Sequence, residues 1–212
     1  SIIVSVTTVN EAPSITSNGA GSTASISFAE NNTSSVTTVT SSDVDAGDTA
    51  TYSISGTDVD DFSIDASTGL LTFTTAPNVE TPTDSDANNT YIVTVTITDS
   101  GPLTDTQTIT VTVTNVNEVP SITSNGGGST ASISFAENNT SSVTTITSSD
   151  VDAGDTATYS ISGTDVDDFS IDSSTGVLTF ASTPDFETPT DADTDNTYSI
   201  TVTITDSGSL TD

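Results

Sequence analysis

The chain has no lysine, no arginine and no histidine, and it also lacks cysteine, methionine and tryptophan. Against these absences stand thirty Asp and Glu residues, for a formal charge of −30 over 212 residues. A chain with no cation cannot neutralise phosphates, so nucleic-acid binding is excluded. Anionic membrane surfaces repel it. No apolar run reaches the length of about 18 residues that marks a bilayer span, so direct membrane insertion is not expected. Without cysteine there are no disulfides and no thiol chemistry. Without His, Cys and Lys, most general bases, nucleophiles and transition-metal ligands are missing. Paired carboxylates serve glycoside hydrolysis in other proteins. Here no aromatic-rich cleft accompanies them, since the seven Phe and four Tyr fall mostly in a core pattern. The chain is therefore not read as an enzyme. Carboxylates, hydroxyls and amides remain, and that inventory suits a hard, oxygen-seeking cation such as Ca²⁺.

What is present is one unit written almost twice. Residues 13–105 align with residues 120–212 without a gap, at an offset of 107 positions. Between 14–105 and 121–212, 77 of 92 positions are identical, so the architecture must be a tandem repeat. The ends are out of phase with the unit. Residues 1–10 (SIIVSVTTVN) align with residues 108–117 (TITVTVTNVN), the last strand-like run of the first repeat. Residues 1–11 thus read as an orphan closing strand and linker, 12–117 as repeat one, and 118–212 as repeat two without its own last strand. Ile2, Val4 and Val6 keep the apolar face of that strand. Two readings follow. The strand of one copy closes the last repeat of the previous copy, which propagates head to tail as a filament because such a contact does not close on itself. Alternatively the chain is a window of a longer tandem protein, and ordinary continuity supplies the strand.

High charge and only 31% hydrophobic residues point toward disorder. Pattern points the other way. From Val93 the run Val-Thr-Val-Thr-Ile-Thr alternates strictly, as does Ile109-Thr-Val-Thr-Val-Thr. Period-two alternation of β-branched residues indicates half-buried strands. Turn clusters such as Asp45-Ala-Gly-Asp48 and Ser67-Thr-Gly69 separate short apolar runs at the spacing of a sandwich. The expected fold is all-β: two tandem seven-stranded Greek-key β-sandwiches, with antiparallel strands and an orphan N-terminal strand that completes a neighbouring domain. Phe28, Tyr52, Phe62, Leu71, Phe73, Tyr91, Val93, Val95, Ile97, Ile109, Val111 and Val113 should point inward. Asp58, Asp60 and Asp61 read as a turn, and Asp65 as the cap of the turn at Gly69.

The acids cluster in loops beside strand ends. Asp43-Val44-Asp45-Ala46-Gly47-Asp48 offers three carboxylates around a glycine turn, and Asn115-Val116-Asn117-Glu118 offers amide and main-chain oxygens between the repeats. At this point the chain resembles the cadherin repeat, most closely in its bacterial forms. Phe28-Ala29-Glu30-Asn31 is similar to that family's P-E-N, and Asp43-Val44-Asp45 to its D-x-D. Asn78-Val79-Glu80 and Asp185-Phe186-Glu187 resemble its D-x-E, and Asp99-Ser100-Gly101 its D-x-x-G type element. Asn115-Val116-Asn117-Glu118-Val119-Pro120 resembles the linker D-x-N-D-N-x-P, with Asn for the first Asp and Glu for the second.

The resemblance implies calcium between successive repeats. Glu30, Asn78 and Glu80 would join Asn115, Asn117 and Glu118, with Asp150, Asp152, Asp155 and Asp206 completing the site. The equivalent joint beyond repeat two would use Glu137, Asp185 and Glu187. It would add Asn10, Glu11, Asp43, Asp45, Asp48 and Asp99 of the next copy. A further candidate loop is Asp84, Asp86 and Asn88, matched by Asp191, Asp193 and Asp195; it has the start of a D-x-D-x-[DN] calcium loop but not its Gly or distal Glu. Asn31, Asn32, Asn88, Asn138 and Asn139 begin N-x-[ST] sequons, so glycans are a further expectation. The function implied is a calcium-stabilised extracellular or cell-surface filament or stalk, assembled from copies of itself. The competing reading is the repeat segment of a large adhesin that binds cells or glycans.

Overall fold

A computed structural model describes residues 1–212. The chain divides into two compact units, Ser1–Val116 and Asn117–Asp212. Unit one has nine strands: β1 Ser14–Ile15, β2 Thr23–Ala29, β3 Thr37–Thr38, β4 Ser41–Ser42, β5 Thr51–Ser55, β6 Phe62–Ile64, β7 Leu70–Phe73, β8 Thr90–Thr98 and β9 Thr104–Thr114. They form a four-stranded sheet in the order β2-β9-β8-β5, a three-stranded sheet β3-β7-β6 and a short pair β1-β4.

The long strands β8 and β9 carry the alternation seen in the sequence. Tyr91, Val93, Val95 and Ile97 are fully buried on β8, as are Ile109 and Val111 on β9. Phe28, Val39, Phe62 and Leu71 pack with them, and Ile26, Tyr52, Ile54 and Phe73 flank the cluster. Burying each such side chain stabilises the unit by roughly 1.5–3 kcal/mol. Phe73 sits at the centre of the aromatic group, 4.5 Å from Phe62, 5.3 Å from Phe28 and edge-on to Tyr91 at 5.1 Å. The buried Tyr91 hydroxyl accepts the Thr83 N–H at 3.1 Å, which keeps its polar tip satisfied.

One pairing departs from the sequence expectation. The strands are antiparallel except that β2 runs parallel to β9, with Ala24 opposite Ile109, Ile26 opposite Val111 and Phe28 opposite Val113. These two strands stand near opposite ends of the unit's chain. No tight hairpin joins them, so nothing forces antiparallel direction. β9 is consequently the strand on which both ends of the unit depend, lying between β2 and β8.

Unit two repeats much of this: β10 Ser121–Ile122, β11 Thr144–Thr145, β12 Ser148–Ser149, β13 Thr158–Ser162, β14 Phe169–Ile171, β15 Val177–Phe180 and β16 Thr201–Thr205. The orders are β11-β15-β14, β13-β16 and β10-β12. Residues 130–136 have the same sequence as β2 yet form no strand, and the strand that matches β8 is shortened to its second half. Ile133 is 45% exposed. Residues 1–9, strand-like by sequence, also form no strand, and Ile2, Ile3, Val4, Val6 and Val9 stand in solvent.

The turns survive unchanged. Asp65 Oδ1 accepts the N–H groups of Ser67 and Thr68 at 2.9 and 2.8 Å, and Asp172 does the same for Ser174 and Thr175. Those N–H groups, Thr68 first, hold the Asp65 carboxyl below its ordinary value. Gly69 closes this turn at φ +70°, where a Cβ would run into the Val39 carbonyl oxygen. Only glycine fits both demands.

Candidate metal centre

Three acids meet at one end of unit one. Carboxylate oxygens of Asp43, Asp48 and Asp99 lie within 4.8 Å of one another. The loop at Asp43 is shaped by its own side chains. Asp43 Oδ1 accepts the Asp45 N–H at 2.8 Å, and Asp48 Oδ1 accepts the N–H groups of Thr49 (2.9 Å) and Ser100 (3.0 Å). Hydrogen bonds from the Ser100 side chain, then from its N–H, hold Asp48 below the usual carboxylate range. Asp99 is buried, with Oδ1 on the Leu103 N–H at 2.7 Å. The chain leading into the unit is tied to the same cluster. Asn10 Nδ2 donates to Asp99 Oδ2 and the Glu11 N–H donates to Asp45 Oδ2, each at 2.8 Å.

Unit two repeats the arrangement with one exchange: Asp152, the counterpart of Asp45, joins the cluster in place of the counterpart of Asp99. Asp150, Asp152 and Asp155 bring carboxylate oxygens within 4.8 Å of each other. Asn117 Nδ2 donates to Asp206 Oδ2 and the Glu118 N–H to Asp152 Oδ2, again at 2.8 Å each. Gly208 lies so close to the Asn117 side chain that a Cβ would collide with it, and Gly101 stands in the same relation to Asn10. The glycine of the Asp-x-Gly element therefore has a steric role: it lets the linker asparagine reach the buried aspartate.

These acids fit a cation. Asp43 Oδ2 and Asp150 Oδ2 are buried and face no hydrogen-bond donor. A buried carboxylate oxygen with no partner loses about 1–3 kcal/mol or more of solvation, and this chain holds no Lys, Arg or His to compensate it. A hard divalent ion would supply the missing partner, and the surrounding oxygens are the kind Ca²⁺ takes.

The opposite end of each unit differs between the copies. Glu30 is 2% exposed. Its two oxygens accept the N–H groups of Val79 and Val116, both at 2.7 Å, and Glu80 lies within 4.8 Å of it. Asn78 turns its Oδ1 back onto Thr81, to the N–H at 2.7 Å and the hydroxyl at 2.8 Å. In unit two Glu137, Asp185 and Glu187 also cluster, but all three are exposed. Repulsion from Glu137 raises the Glu187 carboxyl above its ordinary value, while the Thr188 side chain and the Glu187 N–H lower that of Asp185.

The second candidate loop has a different use for its acids. Asp84 is buried and accepts the N–H groups of Asn88 and Asn89 at 2.8 and 3.1 Å. Asp58, placed in a turn by sequence, is also buried and staples that loop to β8 through the N–H groups of Ser85 (2.9 Å) and Ile92 (2.7 Å). Sequence reasoning missed this role of Asp58, because its partners lie 27 and 34 residues away. Asp191, Asp193 and Asp195 approach within 4.8 Å in the matching loop. Asp191 there accepts the N–H groups of Asp195 and Asn196. The sequon residues Asn31, Asn88 and Asn138 are exposed, and Asn32 and Asn139 are half-buried. The Asn88 amide donates to Asp86 at 2.8 Å.

Two tandem sandwiches with acids gathered at their ends define a class of modular β-repeat protein. The Cadherin domain profile matches residues 24–114 and 131–212. The chain belongs to the cadherin-domain family. Its fold is similar to Drosophila N-cadherin domains EC1-4, with TM-score 0.62 and 20% identity over 96% of this chain and 48% of that one. It is also similar to human protocadherin-24 EC1-2 (TM-score 0.62, 20% identity, 93% and 89% covered) and mouse cadherin-23 EC22-24 (0.51, 22%, 94% and 61%). At these identities the likeness speaks to the fold, and the chain spans about half the length of the N-cadherin fragment. Comparison with curated proteins gives no match. Domains of this family are extracellular modules of adhesion proteins that bind Ca²⁺ where successive domains join. No helix is long and apolar enough to cross a membrane.

Proposed function

We propose that the chain is a structural unit of a calcium-stabilised extracellular filament or stalk, built head to tail from copies of itself. The observation that carries this reading is the buried, partnerless oxygen of Asp43 and of Asp150, set among acids in a chain with no cation of its own. Calcium is held by linker residues Asn115, Asn117 and Glu118, together with Glu30, Asn78 and Glu80 before them and Asp150, Asp152, Asp155 and Asp206 after them. The joint past unit two uses Glu137, Asp185 and Glu187, completed by Asn10, Glu11, Asp43, Asp45, Asp48 and Asp99 of the next copy. The ion neutralises carboxylates that would otherwise repel, and it replaces water as their partner. A flexible string of sandwiches thereby becomes a rod.

Calcium titration by calorimetry, read beside small-angle scattering with and without chelator, tests this. Binding should be measurable in the wild-type chain and lost stepwise in Asp150→Asn and Glu30→Gln. The chain should stiffen as the ion is added. A chain that takes up no calcium, or whose scattering is indifferent to it, refutes the proposal.

A further inference from the structure

In the four-stranded sheet of unit one, β2 pairs with β9 alone, and no hairpin sets its register. The paired residues Thr23 and Thr108 are 85 positions apart (108 − 23). β8 and β9, by contrast, are joined by a short loop that Asp99 closes, its N–H on the Leu103 carbonyl at 3.0 Å. Loop length fixes register in a hairpin. Across β2 and β9 the alternation is no guide. Shifting β2 by two residues keeps every inward side chain inward, because strand side chains repeat with period two. Something other than pattern must choose between the registers.

The chain's one glutamine stands at that point. Gln107 lies on the inward face of β9, in line with Ile109, Val111 and Val113, and is fully buried. Its Nε2 donates to the carbonyl of Gly21, two residues before β2, at 2.7 Å. Its Oε1 accepts Asn18 Nδ2 at 3.1 Å, and Asn18 Oδ1 in turn accepts the Thr37 hydroxyl at 2.9 Å. Both ends of the amide are therefore satisfied in this register. The partners come from the turn that leads into β2 and, through Asn18, from β3 in the other sheet. A buried amide that loses its partners is strongly disfavoured. Phe28 adds a packing preference through Phe73, 5.3 Å away. Hydrocarbon contact is non-directional, however, and only the amide selects a particular partner.

We propose that Gln107 is a positioning residue: it selects the register of β2 and so places Glu30, at the other end of that strand, among the acids that hold calcium. The inference rests on the calcium reading above. Glu30 follows β2 directly, and its oxygens take the N–H groups of Val79 and Val116 at 2.7 Å each. A two-residue slip carries Glu30 roughly 6.6 Å along the strand. Both N–H groups are then out of reach, and Glu80, within 4.8 Å of Glu30 in the native register, is left behind. The same slip strips Gln107 of Gly21 and Asn18. One amide thus governs the place of a carboxylate a full seven-residue strand away.

The chain has no cysteine, so introduced pairs report alone. Ser25 and Thr110 are register partners on the outer face of β2 and β9. Facing residues of paired strands fall within disulfide reach. In the full-length chain under mild oxidation, Ser25→Cys with Thr110→Cys reports the native register. Ser25→Cys with Thr108→Cys or with Thr112→Cys reports the two slipped ones. Gln107→Leu should lower the ratio of native to slipped linkage by a factor of roughly 5–30. Added calcium should pull the loosened ratio back toward native, and should fail to do so once Glu30→Gln is introduced as well. A loss of packing alone would give no such dependence on Glu30. Asn18→Gly spares the core and should loosen the register in the same direction, which keeps the test decisive if Gln107→Leu fails to fold. Slipped linkage that rises in neither variant overturns the proposal. A chain that binds calcium in the titration above, but whose loosened register ignores the ion, defeats this inference and leaves the functional reading standing. A wild-type chain that binds none defeats that reading, and the placing of Glu30 falls with it.

Discussion

The heptapeptide Thr-Ala-Ser-Ile-Ser-Phe-Ala occurs twice, and it is a strand once. At Thr23–Ala29 it pairs along its whole length with β9, and its Phe28 is 6% exposed. At 130–136 it is irregular, and its Ile133 lies open. The amino acids are the same, so propensity cannot account for the difference. What differs is a neighbour: unit one contains Thr104–Thr114, and residues 117–212 contain no equivalent. An edge segment gains its ladder and its buried face together or not at all. The effect spreads to the other side of the gap, where the β8 counterpart begins regular pairing only at Thr201. It reaches the acids too, since buried Glu30 holds the Val116 N–H while Glu137 is exposed.

This comparison can be broken first by matched truncations. Phe28→Ala should destabilise unit one by about 3–5 kcal/mol, as for a buried aromatic. Phe135→Ala, at a half-open site, should destabilise unit two by less than half of that. Denaturant unfolding with each variant checks it, and equal losses would show that full-length pairing of the kind β2 makes with β9 is energetically irrelevant. Calcium is the next lever. At a free concentration of 100 times its dissociation constant, the ion should stabilise the folded chain by about 2.7 kcal/mol. Chelator should therefore lower the melting temperature, and Asp43→Asn or Asp150→Asn should shrink the response.

Turns supply the control, because they are local and alike in both units. Gly69→Ala and Gly176→Ala should each destabilise by roughly 1–3 kcal/mol, since both sites need positive φ and both crowd a carbonyl. A large difference between them would mean that the irregular backbone at 130–136 loosens the whole of unit two. The smallest effect concerns pH. Asp65 and Asp172 are held below their ordinary value of 3.8 by the N–H groups they cap. Their folded form is the better acid, so their stabilisation is complete above 3.8 and fades as pH falls through the lowered value. Asp65→Asn should flatten the acid limb of a stability–pH curve slightly, and Asp172→Asn should do so equally.

Much of this was legible in the residues. Alternation in Val93–Thr98 and from Ile109 onward named the buried face of β8 and β9, because strand side chains point to opposite sides at every step. Asp65 announced its turn through a glycine four residues on. The acids that gather at Asp43 and Asp150 were legible as oxygen-only clusters in a chain with no cation. Other features were not. The parallel pairing of β2 with β9 has no local signature, since the partners are about 85 residues apart. Asp58 looked like any turn aspartate, yet it is buried and holds a loop from a distant part of the chain. The role of Gly101 and Gly208 beside a linker asparagine appears only when the two segments are brought together.

The residues alone determined what the chain can be: a repeated, cation-free, β-alternating polymer whose available ligands are oxygens. Tertiary structure alone decided which copies of identical sequence become strands and which acids are buried. The physical reason is that side-chain chemistry and period-two spacing are carried by each residue. A strand's ladder and a carboxylate's desolvation depend instead on what stands on the far side of the gap.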